Sequence, residues 1–545
     1  MDHLRIASLA SKRGDIQRRL SGEFYTPEPI CRALVQSVLE VGAIFRSISD
    51  PFCGDGRLIV TWLKEMGQFH PLALRELKRI VLWDLHPDSV RSAAENVSAA
   101  MKAIGLNSGC TLISEACDTF KRPPAPNESF DLILTNPPWD LLKPDSRDAI
   151  DDETNSAYKE AIRRYSNEIS ESYPAAVSNR TKSMAGYDVN LARAGMLACL
   201  RLSAKSGAIG IVLPASLFAD QASSPFRTEV FSNLHARRID YFPAESRAFS
   251  GVDQPFVTVV GVTGSPSNEF CLSRRDEQLC VREQRSIRVN PLSPEPIPFV
   301  LGAAQVEITS WLQGSNPILR MLECDMRFGL WLGRELDETR ISDCFGETGV
   351  PFLKGRQVLR FSIKQHDPPF INPQKKSIPR SVGEVRLAWR DVSRPNQQRR
   401  VHASLIPRGW VTGNSLGVGY FRYGEASNLL VLLAVLNSYV FELQVRARLH
   451  TPHVSLGALR ECAVPFRAFE DPELRERVAS AVRNCVLAPD SLDACVNLEV
   501  LVAKAYNVSL EQMAEILDAF PKVSILERDT LLSRSNWEPS LRRTS

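Results

Sequence analysis

Apolar and polar positions between residue 28 and about residue 260 alternate between two periods. Short apolar runs bounded by Gly, Pro, Asn or Asp predict buried strands at Ile44–Ser49, Arg79–Trp83, Thr111–Ile113, Phe130–Thr135, Gly207–Pro214, Arg238–Phe242 and Pro255–Val260. Between them, apolar residues recur at helical spacing over Glu28–Leu39, over Arg57–Met66, after His86-Pro87-Asp88, from Tyr187 through Leu202, and from Ser216 onward. Strands alternating with helices predict an α/β fold, a doubly wound sheet with helices on both faces. Thr26 is placed as an N-cap, with Pro27 opening the helix. Residues 1–20 read as a polar helix and residues 143–185 as a polar excursion.

Beyond residue 260 the pattern changes. Ser, Arg and Pro crowd residues 265–298, which predicts a boundary. Residues 300–345 read as partly helical, and 350–465 as short strands with Gly/Pro turns. Leu429–Leu443 reads as one apolar helix, and residues 466–530 as amphipathic helices, with Asn507-Val508-Ser509 capping Leu510–Phe520. The expected division is 1–265, 266–345, 346–465 and 466–545, a mixed α+β module and a helical tail following the first sheet. A chain of 545 residues is in any case too long for one core.

Composition changes this picture little. The chain is 44% apolar and 24% charged with a net charge of +3, which is ordinary for a globular protein. Residues 351–450, however, hold 16 Lys and Arg against 5 Asp and Glu, a local excess that suits a phosphate-facing surface. The twelve cysteines form no CxxC pair and no Cys/His cluster with zinc spacing, so no structural metal is expected. Scattered cysteines, an N-terminus without an apolar segment and no apolar run near 18 residues predict a cytoplasmic protein with no membrane partner.

The candidate chemistry lies at the carboxyl ends of the strands. Asp50 opens the turn Asp50-Pro51-Phe52-Cys53-Gly54-Asp55-Gly56, Asp84 ends the second strand, Asp118 follows the third, and Asn136 ends the fourth. Ligands of open α/β sheets bind outside those ends. The glycine turn is not GxGxxG, and its carboxylates would repel a pyrophosphate; they suit a cationic ligand such as S-adenosylmethionine. In Asn136-Pro137-Pro138-Trp139 the prolines end the strand and stiffen the turn. The Asn136 side chain and the Pro137 carbonyl can both accept from one exocyclic amino group, and Trp139 offers a face for a ring. Phe249, on the Ala248-Phe249-Ser250-Gly251 loop, is a candidate for the opposite face. In the basic region, Trp389-Arg390-Asp391-Val392-Ser393-Arg394 and Gln397-Gln398-Arg399-Arg400 interleave arginines and amides with an aromatic, side chains suited to phosphate and base-edge contacts.

Taken together, Glu23–Pro27, Asp50–Gly56, Asp84, Asp118, Asn136–Trp139 and Gly207–Pro214 stand in the order of the γ-class adenine-specific DNA methyltransferases, which the chain resembles over roughly residues 20–262. Pro351-Phe352-Leu353-Lys354-Gly355-Arg356 is similar to the start of that family's recognition domain, and Asn437-Ser438 and Ala463-Val464-Pro465 to its end. The resemblance implies a Rossmann-like sheet and the modification enzyme of a type II restriction system. That enzyme would act on double-stranded DNA with S-adenosylmethionine, beside a cognate restriction endonuclease and without a metal. It implies that Thr26, Asp50, Cys53, Gly54 and Gly56 line the cofactor, Asp84 holds the ribose and Asp118 the adenine. Asn136 and Pro137 would hold the target amino group, backed by Pro138, with Trp139 and Phe249 stacking. Lys354, Arg356, Arg390, Arg394, Gln397, Arg399 and Arg400 would face DNA. Trp139 departs from the commoner Tyr or Phe. Methylation of RNA or of a protein glutamine, a fused restriction–modification enzyme and a non-catalytic DNA-binding subunit are the alternative readings.

Overall fold

The computed structural model describes residues 25–42, 44–106, 109–122, 129–142, 152–177, 189–249, 254–338, 341–364, 368–393, 397–423, 425–449, 453–534 and 537. The polar helix expected over 1–20 lies outside the described residues, as do Glu23, Phe24, Tyr187, Asp188, Ser250, Gly251 and Arg394. The chain divides into two compact units, 1–297 and 298–545.

In the first unit, helix α1 (Glu28–Leu39) begins behind Pro27 and buries Ile30, Leu34, Val35 and Val38, one face at i, i+4 spacing. Strand β1 (Ser47–Asp50) is buried throughout. Then come α2 (Arg57–Phe69), β2 (Arg79–Asp84), α3 (Pro87–Ala103), β3 (Thr111–Ala116) and β4 (Phe130–Thr135). Helix α4 (Asp152–Ser172) is the excursion, and α5 (Leu191–Leu202) is capped by the Asn190 side chain, which accepts from the Arg193 amide. Strand β5 (Ser203–Pro214), α6 (Ser224–Asn233), β6 (Leu234–Phe242) and β7 (Phe256–Thr263) follow. The sheet order is β3-β2-β1-β4-β5-β7-β6, extended by β8 (Glu269–Arg275) and β9 (Val281–Arg288). Strands β1 to β5 pair in parallel, while β7 runs antiparallel between β5 and β6. Strand β1 lies between β2 and β4, so the order reverses there and a crevice opens at the carboxyl ends of β1 and β4.

The chain divides inside the segment expected to hold a boundary, but after Ile297 and not at residue 265, because the segment first supplies β8 and β9. Strand β9, Val-Arg-Glu-Gln-Arg-Ser-Ile-Arg, sits at the edge with exposed residues on one face, so its composition reads as linker. Thr26 is likewise not the cap of α1. Pro27 holds that position, and no side chain caps the helix.

Among the described residues, the second unit has two four-stranded sheets. One orders Leu330–Gly333, Leu416–Phe421, Arg386–Arg390 and Ala403–Ile406; the other Phe345–Gly346, Phe370–Ile371, Val350–Leu353 and Val411–Thr412. The single helix expected over Leu429–Leu443 is two, Ser427–Leu436 and Tyr439–Arg448, meeting at a 57° bend. The break is chemical. Ser438 Oγ accepts from the Phe441 amide and starts a new helix, while the Asn437 amide group pairs with the backbone of Ala403 at 2.9 and 3.1 Å. No single described helix is long and apolar enough to cross a membrane.

Buried charge organises this unit. Arg399 Nε donates to Glu442 Oε2 at 2.8 Å, its Nη1 lies 3.4 Å from Glu499, and Arg446 Nε donates to Glu442 Oε1 at 2.9 Å. The Arg400 amide also donates to Glu442. Arg399 and Arg400, each 4% exposed, are therefore internal, which corrects their placement on a DNA-facing surface. Trp389 is core as well, at 1%. Burial pushes the Glu442 carboxyl up, but Arg399 and Arg446 outweigh it and bring it down to about 2. Its stabilisation is thus present above its unfolded value of 4.5 and is lost as pH falls from there toward about 2. Glu442→Gln, which leaves Arg399 under-compensated, is expected to destabilise this unit by about 3–5 kcal/mol at neutral pH. The measurement is the urea midpoint of its unfolding transition, and the difference from wild type should shrink on acidification.

Candidate functional site

The site starts from a buried carboxylate. Asp50, 1% exposed at the end of β1, accepts from Thr135 Oγ1 at 2.6 Å and from the Phe52 amide at 3.2 Å. Thr135 ends β4, so this bond ties the two strand ends that flank the crevice. The chain then turns through Gly54 (φ +52°) and Gly56 (φ +77°) into α2. A Cβ on Gly56 would lie 3.1 Å from Ala93, so this glycine lets α2 approach α3; unlike Gly54, it does not line the cleft. The Gly54 amide donates to Asp84 Oδ2 at 3.0 Å, and the His86 amide to its Oδ1 at 2.9 Å, so Asp84 braces the glycine turn.

One cleft gathers most of the expected residues. Thr26, Asp50, Cys53 and Gly54 line it together with Asp84, Asp118, Asn136 and Pro138. Desolvation raises all three aspartates. Asp50 is brought to about 7, with the Thr135 and Phe52 bonds opposing burial and Asp84 adding repulsion. Asp84 is raised by burial against its bonds from the His86 and Gly54 amides. Asp118 is raised by burial against the Tyr165 hydroxyl, which donates to Oδ2 at 3.0 Å, and the Phe120 amide. Burial also pushes the Cys53 thiol far up, so it is a neutral wall.

Several lining residues escaped sequence reasoning. Tyr165 comes from the polar helix α4, where nothing local marks it. Phe52 and Phe120 pack at 5.2 Å, and the Arg57 guanidinium lies 4.9 Å above the Tyr25 ring while its Nη1 donates to the Thr26 carbonyl at 3.2 Å.

At the end of β4, Asn136 Nδ2 donates to Thr26 Oγ1 at 3.1 Å, and its Oδ1 accepts from Trp139 Nε1 at 3.0 Å. The half-buried indole packs against Phe249 at 5.2 Å and Phe256 at 6.1 Å. Phe249 is 4% exposed and in contact with Trp139, so it does not stand opposite the indole across a gap. That corrects its expected place as a second stacking face. Trp139 itself is half-buried, bonded to Asn136 and packed on the core, and neither it nor the buried Pro137 lines the cleft.

Of the remaining expected residues, Arg356 is exposed. Lys354 is half-buried, its ammonium 2.9 Å from Glu338. Arg390 donates to the carbonyls of Val358 and Arg356, and Gln397 Oε1 accepts from Ser393.

Sequence also missed Gly195 on α5. A Cβ there would fall 2.4 Å from the Pro137 Cβ, so α5 presses directly on the proline turn. Gly195→Ala should overpack this contact and cost about 1–3 kcal/mol, read as a lower urea midpoint for the first unit.

Residues 9–236 match the family model described as N-6 DNA Methylase. No curated protein matches the chain in sequence. Among solved structures, the type IIL restriction-modification enzyme MmeI, solved with DNA, aligns at TM-score 0.54 and 12% identity over 95% of this chain and 81% of its own. The type IIG restriction endonuclease BpuSI aligns at 0.41 and 15% over 97% and 68%. A type I restriction-modification methyltransferase subunit from Streptococcus thermophilus aligns at 0.31 and 15% over 49% of this chain. The chain spans about half the length of such subunits, 53% of that one and 52% of a modification subunit from Vibrio vulnificus YJ016. At 12% identity the likeness to MmeI establishes the fold. By this match, residues 9–236 of the first unit are similar to the N-6 DNA methylase family.

Proposed function

We propose that the chain transfers a methyl group from S-adenosylmethionine to the N6 amino group of an adenine in double-stranded DNA, as the modification enzyme of a restriction system. The observation that carries this reading is one cleft in which the buried Asp50 and the half-buried Asp84 and Asp118 meet the amide of an Asn-Pro-Pro-aromatic turn. The donor set fits the cofactor. Asp50 and Asp84 suit a cationic amino acid portion and a ribose diol, and Asp118 an adenine amino group. S-adenosylmethionine supplies a methyl already activated on a sulfonium.

The residues of this chain then have limited work. The adenine leaves the helix stack, because its amino nitrogen is otherwise paired. The Trp139 face offsets part of that cost, at about 1–3 kcal/mol per stacked base. Asn136 Oδ1 and the Pro137 carbonyl accept from the amino group. This keeps the nitrogen electron pair from delocalising into the ring and stabilises the positive charge the nitrogen gains as the C–N bond forms and the C–S bond breaks. One amino proton leaves afterwards. Exposed Arg356 and half-buried Lys354, in the second unit, are the expected residues that suit phosphate contact, and a nuclease cutting the same site is the expected partner.

Asn136→Ala should lower methyl transfer by about a thousandfold or more while leaving the melting temperature near wild type. The assay digests DNA to nucleosides and measures N6-methyladenine; near-normal yield from that variant would refute the assignment. The raised Asp50 gives a second test. A cation binds best when Asp50 is ionised, so affinity for S-adenosylmethionine should rise with pH through about 7. Between pH 6 and pH 8 calorimetry should record a gain of about tenfold, flattened in Asp50→Asn.

A further inference from the structure

Thr26 is 3% exposed, and its hydroxyl does not cap α1. The backbone of residue 26 is held without that hydroxyl, because its carbonyl accepts from Arg57 Nη1 at 3.2 Å and from Cys31 Sγ at 3.3 Å. The hydroxyl oxygen instead accepts from Asn136 Nδ2, across 110 residues of chain. At the other end of the same amide stands Trp139 Nε1, 3.0 Å from Oδ1. An indole nitrogen can only donate, so the atom facing it must be the amide oxygen. The amide nitrogen then faces Thr26, whose hydroxyl is able to accept. The two contacts together select one of the two orientations that an asparagine side chain can take.

That choice matters for the chemistry above. In the flipped orientation a target amino group would meet another NH₂ and find no acceptor. In the observed one it meets a carbonyl oxygen whose two lone pairs can take the indole N–H and an amino N–H together. We infer that Thr26 and the indole N–H of Trp139 are positioning residues that lock the Asn136 amide with its oxygen turned to accept from the target base. The inference rests on the proposed function. It gives Thr26 a role through Asn136 in place of its expected role toward the cofactor, and it gives Trp139 a role that a phenyl or phenol ring in its place would not supply through an indole N–H.

The test uses the full chain, tritiated S-adenosylmethionine and genomic DNA lacking N6-methyladenine. Thr26→Val removes the hydroxyl at nearly constant shape, and Thr26→Ser keeps it. The expected result for Thr26→Val is a kcat lower by about 10- to 100-fold. Its Kd for S-adenosylmethionine by calorimetry should stay within about twofold of wild type, and Thr26→Ser should restore most of the rate. Unchanged kcat, or a loss that tracks a weakened cofactor Kd, overturns the inference. A circular-dichroism melt checks folding. Should Thr26→Val unfold, Trp139→Phe removes the N–H from the other end and should likewise lower kcat at unchanged cofactor Kd; kcat near wild type in that variant also overturns the inference. Where both variants fold, the double variant should lose less than the sum of the single losses, because both act through one amide, and additive losses count against the clamp. Asn136→Ala separates the two levels. If it is inactive while Thr26→Val is normal, only the clamp fails; if Asn136→Ala is active, the function itself fails.

Discussion

The hydrogen bond from Thr135 to Asp50 is the contact on which the site depends. It joins the ends of two adjacent parallel strands at 2.6 Å, the usual length for a hydroxyl donating to a carboxylate. An isolated carboxylate could not be buried there at tolerable cost. The Phe52 amide shares the load, and Asp84 is braced in the same way by the Gly54 and His86 amides. The cleft is thus an acidic pocket held by backbone N–H groups and hydroxyls. A cation entering it would offset the burial, and the lesser repulsion from Asp84, that raise Asp50.

The other half of the site is stiff for a different reason. Pro137 is backed by Gly195, and Trp139 leans on Phe249 and Phe256, which continue into the stacked pair Phe242–Phe256 at 4.6 Å. These rings belong to the core between the sheet and α1 and α2. The proline turn is therefore an extension of the core to the surface, and its polar atoms gain fixed positions from apolar packing. One hydroxyl, that of Thr26, and one indole N–H then set the orientation of the single amide in it.

In the second unit several arginines are structural. The Arg386–Glu335 pair at 3.0 Å is fully buried, and Arg399 bridges two glutamates beneath the aromatic rings of Tyr439 and Phe520. Such pairs hold strands and helices in register because breaking either partner strands the other. A count of basic residues along the chain mixes these with exposed side chains such as Arg356.

The sequence alone settled the elements whose signals are local. Alternating strand and helix patterns, the glycine turn after Asp50 and the two prolines after Asn136 each constrain the backbone by their own chemistry, and the sheet order places their ends together. The N-cap at Ser509, whose side chain accepts from the Gln512 amide, was legible for the same reason. Features set by distant neighbours were not legible. Strand β9 joins the sheet despite a linker-like composition, Asn437 and Ser438 break an apolar helix, and Thr26 turns to Asn136 instead of capping its own helix. Tyr165 reaches Asp118 from a helix with no local mark, and Phe249 packs against Trp139 instead of facing it across a gap. Whether Arg399 meets DNA or Glu442 is decided by what folds over it. Local stereochemistry acts through adjacent bonds and can be read in order along a chain; burial and partner choice depend on residues that only the folded backbone brings within reach.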